Sequence, residues 1–328
     1  MSDAYWIGVD LGGTKILAGL FDDEMKSLGR AKEATPPPEA GPSAVFERID
    51  KAVAKVLAET GVAAGSVRGL GFGIPGQIKP GTLMVKFAPN LDWRDVDLSA
   101  HLPKAWTWPT FIENDVRIGT FGEWRHGSAK GAKNVLGIFA GTGVGGALII
   151  NGKLYHGFNF NAGEIGHIIV HWRKGKSLED IAGRRSMMRY AASLLADAPK
   201  RVRKEWKGVE LDAVKSSQLA DFFEKDDPIA VQLVDSAAKA LGAAIGGLIN
   251  LLSPEVIVLG GGVAGALGEG FRERIWEIAT RYTLPGAADG VKFVPAQLED
   301  DSGIIGAAAY AKERAESAGE TSESRKKR

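Results

Sequence analysis

The sequence contains no cysteine among its 328 residues. Disulfide bonds and thiolate-bound metal centres are therefore excluded, and nothing in the composition favours an oxidising compartment. The sequence also has almost no excess of either charge sign, because 41 Lys and Arg residues are balanced by 40 Asp and Glu residues and the formal net charge is +1. Binding to nucleic acid through bulk electrostatics needs a clustered basic excess, so this balance argues against a nucleic-acid partner.

Long apolar runs are missing as well. The two least polar stretches, residues 135–150 and 240–252, are interrupted by glycines and single polar residues. Both are shorter than the about 20 residues that a membrane-spanning helix needs. The first residues show no basic segment followed by an apolar one, so we expect no signal peptide. A cytoplasmic protein with no membrane partner is the expectation.

Glycine is the residue in excess, at 43 of 328 residues, about 13 % against an average near 7 %. The pattern Gly-x-Gly-x-x-Gly occurs three times, starting at Gly71, Gly141 and Gly260. A dinucleotide site requires a strand before this pattern, a helix after it and an acidic residue about 20 positions later. None of the three copies meets all of these conditions, so a nicotinamide-dependent oxidoreductase is kept only as a rival hypothesis.

The hydrophobic periodicity predicts an α/β protein with an internal repeat. Two apolar strands, over 5–11 and 15–21, flank a Gly-Gly-Thr turn and predict a hairpin. A second hairpin over 134–150 repeats the first at a constant offset of 129 residues, which favours an ancient duplication. Other predicted strands cover 67–74, 110–113, 255–259 and 291–295, and predicted helices cover 43–60, 114–124, 177–198, 228–252, 267–282 and 304–314.

Both glycine turns are candidates for binding phosphate. The first turn is no P-loop, since it leads into a strand rather than a helix. A tight glycine turn nevertheless exposes consecutive backbone N–H groups to an anion. Asp10, at the end of the preceding strand, is placed to hold Mg²⁺ through water or phosphate, although a turn-capping role is the simpler alternative. The predicted nucleotide ligands of the two turns are Gly12, Gly13, Thr14, Lys15, Thr142 and Gly143.

Two polar clusters are candidates for binding a polyol. Glu113-Asn114-Asp115 lies at a predicted strand-to-helix junction, where side chains of open α/β proteins meet their ligands. Helix capping by Asn114 is the alternative interpretation. The segment 161–167 places Glu164 and His167 three residues apart across glycines. Carboxylates and amides that bind neighbouring hydroxyls would be left unpaired by a deoxy analogue, so such clusters suit a sugar.

Taken in order, these motifs resemble the ROK family of sugar kinases and repressors. The matching segments are 10–15, 73–76, 113–115, 141–146, 162–167 and 250–262. The resemblance implies an actin-like ATPase fold of two ribonuclease-H-like domains with an interdomain cleft for ATP and sugar, and a homodimer. It implies Asp115 as the general base and a sugar contact, and Gly261 and Gly262 as contacts to the adenosine. The other implied sugar ligands are Gly76, Asn90, Asn114, Glu164, His167 and Glu179.

The chain departs from this family at one point. Members commonly carry a zinc-binding cysteine cluster between the Gly-His motif and the Leu-Glu motif, whereas residues 168–177 contain no cysteine. We therefore expect no structural zinc, and packing of Trp172 is the hypothesis for what orients His167 and Glu179 instead. The first strand begins by Tyr5, so the helix-turn-helix module of the family's repressors, and with it DNA binding, is not expected.

The resulting hypothesis is an ATP- and Mg²⁺-dependent kinase that phosphorylates the 6-hydroxyl of a hexose, with glucose as the first candidate. A kinase for an amino or N-acylated sugar, a polyphosphate-dependent kinase and a non-catalytic sugar sensor stay open as alternatives. We expect a smaller domain over 1–117 and 302–315, a larger domain over 118–301 and a flexible tail over 316–328.

Overall fold

The computed structural model describes residues 4–326. The chain divides into two compact units, and unit 1 comprises Met1–Gly131, His156–Ala162 and Gln297–Arg328. Unit 2 comprises Ala132–Tyr155 and Gly163–Ala296. The first boundary therefore lies 14 residues beyond the expected one at 117, and the helix that starts at Asp115 stays whole within unit 1.

Both units contain strands and α-helices. The strands are β1 Tyr5–Leu11, β2 Lys15–Phe21, β3 Ser27–Ala34, β4 Val67–Ile74, β5 Gln77–Ile78, β6 Met84–Ala88, β7 Trp93–Asp97, β8 Thr110–Asn114, β9 Val135–Ala140, β10 Val144–Ile150, β11 Lys153–Tyr155, β12 Ile169–His171, β13 Lys176–Ser177, β14 Val256–Gly260 and β15 Lys292–Pro295. The α-helices are α1 Gly41–Thr60, α2 Asp115–His126, α3 Glu179–Ala182, α4 Arg184–Asp197, α5 Lys200–Glu205, α6 Ser216–Glu224, α7 Pro228–Leu252, α8 Gly262–Thr280 and α9 Ser302–Lys326.

Each unit contains a five-stranded sheet of the same topology. The order in unit 1 is β3-β2-β1-β4-β8, with antiparallel pairing from β3 to β1 and parallel pairing from β1 to β8. The order in unit 2 is β11-β10-β9-β14-β15, with the same directions at the corresponding positions. This equality supports the duplication inferred from the 129-residue offset.

The two hairpins differ by one residue at the turn. Four residues separate the last pair of unit 1, Leu11 with Ile16, whereas three separate Ala140 from Val144 in unit 2. The constant offset therefore describes the first strand of each hairpin, while the pairing of the second strand is shifted by one residue.

Glycines allow helix α9 to lie directly on the sheet of unit 1. A Cβ atom at Gly8 would be 1.8 Å from the carbonyl oxygen of Ile304, and one at Gly71 would be 2.0 Å from that of Ala307. No side chain can share such a space with a backbone carbonyl, so the two glycines set the helix-to-sheet distance.

Helix α7 is the core helix of unit 2. Asp227 caps it, accepting hydrogen bonds from the N–H groups of Ile229 and Ala230, and Pro228 occupies the first turn. Within the described residues α7 is the helix long and apolar enough to cross a membrane, but 67 % of its most apolar window is buried inside unit 2. Its apolar character is explained by that burial.

Several predicted elements need correction. The loop expected over 22–42 contains the polar edge strand β3, and the helix expected over 177–198 is broken by Gly183 into α3 and α4. The helix expected from residue 267 is preceded by a further helical segment that begins at Gly262, and the backbone is non-helical at Gly268 (φ 68°, ψ −155°) between the two. Residues 316–326 of the expected tail are helical and continue α9 with no proline to interrupt it. Residues 327 and 328 lie outside the described residues.

Candidate active site

Asp10 lies at the end of β1, close to a second carboxylate. The pKa of Asp10 is raised to about 7, first by burial and then by the charges of Asp115 and Asp300, against the lowering effect of Lys15. A carboxylate that is removed from water and repelled by a neighbouring carboxylate gains most from a bound cation.

The donor set around Asp10 fits a magnesium ion better than a metal held wholly by protein. Within residues 4–326 no group of three or more His, Asp or Glu side chains is placed to hold a metal ion. Magnesium usually keeps several waters and takes one or two carboxylates together with substrate phosphates. Asp10, with Asp115 near it and a glycine turn following it, offers that kind of site.

The first glycine turn is held from one side and open on the other. Thr35 donates its hydroxyl to the carbonyl of Gly12 at 2.7 Å and its N–H to the carbonyl of Thr14 at 3.2 Å. Gly13 and Thr14 are exposed. The Lys15 ammonium, expected to meet phosphate, instead contacts the Asp300 carboxylate at 2.8 Å. The structure thus gives the predicted phosphate cation of this turn an acidic partner.

Asn90 and Gly76 take different places in unit 1. Asn90 is exposed and adjacent to the first turn, since a Cβ atom at Gly13 would lie 3.6 Å from the Asn90 Cβ. Gly76 accepts a hydrogen bond from the Asn114 amide at its carbonyl, 3.2 Å away. A Cβ atom at Gly76 would be 2.4 Å from the Phe87 carbonyl oxygen, so only glycine fits there.

Asn114 and Asp115 form the junction between β8 and α2. Asn114 is the N-cap, with its Oδ1 accepting the N–H groups of Val116 at 3.0 Å and Arg117 at 3.1 Å. Its amide nitrogen donates to Asp115 Oδ1 at 2.9 Å, and the same oxygen accepts the Val116 N–H at 2.9 Å. The capping interpretation of Asn114 is therefore confirmed, and the cap also orients the Asp115 carboxylate.

A buried charged cluster lies directly behind this junction. Glu113, only 4 % exposed, accepts from His156 Nε2 at 2.6 Å and from the guanidinium of Arg117 at 3.3 Å. Burial alone would raise the pKa of Glu113, but His156, the Asn114 N–H and Arg117 together hold it below the usual range. Arg117 also donates to the carbonyl of Phe160 at 2.7 Å, which ties the segment His156–Ala162 to α2.

In unit 2, Glu179 supports the second glycine turn. Its Oε2 accepts the N–H of Val144 at 2.8 Å. A Cβ atom at Gly143 would be 2.2 Å from the same oxygen, so the glycine makes room for the carboxylate. Trp172, expected to orient Glu179 by packing, is 79 % exposed, and that hypothesis is wrong. The backbone of β10 holds the carboxylate instead.

The glycines of the 161–167 segment pack against β10. A Cβ atom at Gly166 would be 2.0 Å from the carbonyl oxygen of Val144, and one at Gly163 would be 3.0 Å from the Cα of Ala147. Glu164 and His167 are exposed on this segment. The glycines bring the backbone close to the strand, and the polar residues between them face outward.

Gly261 and Gly262 join the second turn from another part of the sequence. Gly261 has a φ of 88°, and a Cβ atom there would be 2.5 Å from the carbonyl oxygen of Ala140. A Cβ atom at Gly141 would lie 3.8 Å from the N–H nitrogen of Gly262. The start of α8 and the end of β9 are thus close enough to serve one ligand, as the predicted adenosine contacts require.

The candidate residues are divided between the two units, and the sequence analysis missed several of their partners. Unit 1 holds Asp10, the first turn, Gly76, Asn90, Asn114 and Asp115, and unit 2 holds the second turn, Glu164, His167, Glu179, Gly261 and Gly262. His156, Asp300 and Arg184 were missed. Gly183 was the available signal for Arg184, because a glycine inside a predicted helix can mark a new helix start.

Comparison with known proteins gives matches over almost the whole chain. The sequence profile of the ROK family matches residues 6–314. A glucokinase of Halalkalibacterium halodurans is 35 % identical over 319 residues, covering 93 % of this chain and 94 % of the relative. A ROK family glucokinase from Streptomyces griseus, crystallised with glucose and AMPPNP, is 32 % identical with a TM-score of 0.80, covering 94 % of this chain and 100 % of that one. A ROK hexokinase from Thermus thermophilus is 29 % identical with a TM-score of 0.79, covering 95 % and 99 %.

The fold and the matches define the class as a sugar phosphotransferase with the two-domain actin-like ATPase fold, and both predictions are confirmed. Within that class, the chain belongs to the ROK family.

Proposed function

We propose that the protein is an ATP- and Mg²⁺-dependent hexokinase with glucose as its preferred acceptor and the 6-hydroxyl as the phosphorylated group. The observation that carries the proposal is the Asp115 carboxylate, fixed at the first turn of α2 by Asn114 and by the Val116 N–H, close to the carboxylate of Asp10. The glucokinase relatives support glucose as the acceptor, and the AMPPNP complex of the Streptomyces griseus enzyme supports ATP as the donor.

Asp115 acts as the general base in this proposal. Its carboxylate accepts the proton of the sugar hydroxyl, and the oxygen attacks the γ-phosphorus in line with the departing ADP oxygen. Two hydrogen bonds to Oδ1 fix the direction of the carboxylate, which reduces the conformational freedom lost on the way to the transition state.

Asp10 holds the cation. When bound, Mg²⁺ neutralises charge on the phosphates during transfer. The turn residues Gly12, Gly13 and Thr14 in unit 1, and Thr142 and Gly143 in unit 2, are assigned to the phosphates, with Gly261 and Gly262 assigned to the adenosine. Lys15 can join the phosphates only by leaving Asp300.

The sugar contacts remain part of the proposal. Asn114 already uses its amide for capping and for Asp115, so its main contribution is to orient the base. Gly76 and Asn90 in unit 1, and Glu164, His167 and Glu179 in unit 2, are the other assigned contacts. A cytoplasmic homodimer is also proposed, and light scattering of the purified protein tests the dimer.

The first experiment measures ADP formation with ATP and Mg²⁺ against glucose, mannose, fructose, N-acetylglucosamine and N-acetylmannosamine. Glucose-dependent ADP formation is expected, and Asp115→Asn should lower kcat about 10²- to 10⁴-fold, the range for general-base catalysis. Glucose binding, followed by tryptophan fluorescence, should survive in the variant. Activity only with an N-acylated sugar or only with polyphosphate would replace the proposed substrate. Sugar binding without turnover would identify a sensor.

A further inference from the structure

The second glycine turn is closed by the first residues of α4. The N–H of Arg184 donates to the carbonyl of Gly141 at 3.0 Å, and the N–H of Arg185 donates to that of Thr142 at 3.1 Å. These backbone contacts fix the start of the helix against the turn. The Arg184 side chain therefore originates at a defined place beside Thr142.

The Arg184 guanidinium has only neutral partners in the contacts that the structure gives for the described residues. Its Nη2 donates to Thr142 Oγ1 at 3.3 Å, and its Nη1 donates to the carbonyl oxygen of Val214. The side chain is half-buried. Glu179, whose carboxylate lies beside the turn, accepts the Val144 N–H, whereas Arg184 donates to Val214 and Thr142. A partly buried cation without an acidic partner is stabilised by an anionic ligand.

The two repeated hairpins differ in the charge at their turns. Because the second hairpin has one residue fewer at its turn, it has no counterpart of Lys15, and the three residues between Ala140 and Val144 are uncharged. The second turn therefore lacks a cation of its own, and Arg184 supplies one from outside the repeat. Lys15, in contrast, is neutralised by Asp300.

We propose that Arg184 is a donor-specificity residue that binds the β- and γ-phosphates together with Thr142, a proposal that rests on the proposed use of ATP. A guanidinium binds phosphate oxygens through two parallel N–H groups, which a lone ammonium cannot do. Thr142 Oγ1, already next to Nη2, supplies a hydroxyl to the same anion. Arg184 distinguishes donors by the number of their phosphates, not by their base.

Calorimetric titration of ATP, ADP, AMP and tripolyphosphate, each with Mg²⁺, tests this assignment in the whole chain. Arg184→Gln should lower the affinity for ATP and for tripolyphosphate about 10- to 100-fold, the range for hydrogen bonds to charged groups. AMP binding should change by less than about two-fold, because AMP lacks the phosphates involved. Arg184→Lys keeps the charge but not the paired N–H groups, so an intermediate loss is expected.

Arg185→Gln is the matched control, since Arg185 is exposed and its backbone contact survives the substitution. Its affinities should equal those of the wild type, and the KM for glucose should be unchanged in all three variants. If Arg184→Gln loses affinity for AMP and ATP equally, or loses affinity for neither, the assignment of Arg184 is overturned while ATP stays the donor. If Arg184→Gln does not fold, unaltered ATP and tripolyphosphate affinity in Arg184→Lys overturns it. A wild type that binds neither ATP nor tripolyphosphate overturns both proposals.

Discussion

The two five-stranded sheets share one topology, yet their glycine turns lie among different charges. Around the first turn, Asp10 and Asp115 are close to each other, and Lys15 is paired with Asp300. Around the second turn, a guanidinium with neutral partners lies beside Thr142. The repeated hairpin thus determines where backbone N–H groups are presented, while residues outside the repeat determine which ion each turn suits.

This difference gives the units separate chemical tasks under the proposed function. Unit 1 gathers carboxylates, which suit a divalent cation and a proton. Unit 2 offers an arginine, which suits the anionic donor. Substitutions confined to one unit test this division.

The largest effect is expected from Glu113→Gln in unit 1. The substitution removes the buried carboxylate that pairs with Arg117, 3 % exposed, and with His156, and breaking a buried pair in this way costs about 3–5 kcal/mol of unfolding free energy. Glu179→Gln in unit 2 is the control, because the amide oxygen can still accept the Val144 N–H and the expected cost is at most about 1 kcal/mol. Urea unfolding measures the free energy of unfolding of both variants. Equal losses would contradict the difference expected between the two carboxylates.

The next effect concerns the glycines that bring helices close. Gly71→Ala would place a Cβ atom 2.0 Å from the Ala307 carbonyl oxygen, so a loss of about 3 kcal/mol is expected from overpacking. Gly247→Ala in α7 of unit 2 meets no atom within 4 Å, and the better helix propensity of alanine should add about 0.5–1 kcal/mol. Thermal unfolding should move Tm in opposite directions, and a Gly71→Ala protein as stable as the wild type would show that the helix can shift.

A pH dependence is expected from Asp10 in the metal-free protein. Its folded pKa of about 7 lies above the ordinary value of 3.8, so the unfolded state ionises first. Stability should therefore fall as pH rises from about 4 to about 7 and then level off. Asp10→Asn should remove this slope, and Mg²⁺ with ATP should oppose it in the wild type. Parallel pH profiles of wild type and variant would exclude a raised pKa at Asp10.

The smallest effect is expected from the ion pair at the first turn. Lys15→Gln removes a contact with Asp300, whose carboxylate is 82 % exposed, and exposed pairs contribute less than about 1 kcal/mol. Arg30→Gln, which breaks the similar pair with Asp301, is the control and should behave alike. A much larger loss for Lys15→Gln alone would mean that this lysine does more than neutralise Asp300.

The elements that could be predicted are those with strong local signals. The apolar runs on either side of the Gly-Gly-Thr turn located β1 and β2, and the helix predicted from Pro228 matches the start of α7. The edge strand β3 was missed because its residues are mostly polar and exposed, so no apolar alternation reveals it. Helix α9 was ended too early because a charged segment was interpreted as a tail.

The candidate site was predictable as a set of residues but not as a set of contacts. Asn114 could be placed at a helix start because cap preferences are local. The partner of Lys15 lies 285 residues away, and that of Glu113 lies 43 residues away. No spacing rule links such distant positions. Only the folded chain reveals that Lys15 pairs with Asp300 and that Glu113 is held by His156 and Arg117.

The contact between α9 and the sheet of unit 1 has a consequence for biosynthesis. β1 is synthesised well before the helix that covers the sheet at Gly8 and Gly71, which spans residues 302–326. Unit 2 is complete once residue 296 has been translated. Unit 1, although it contains β1, is therefore completed after unit 2, and until α9 has been synthesised its nascent sheet lacks the helix that shields it from water.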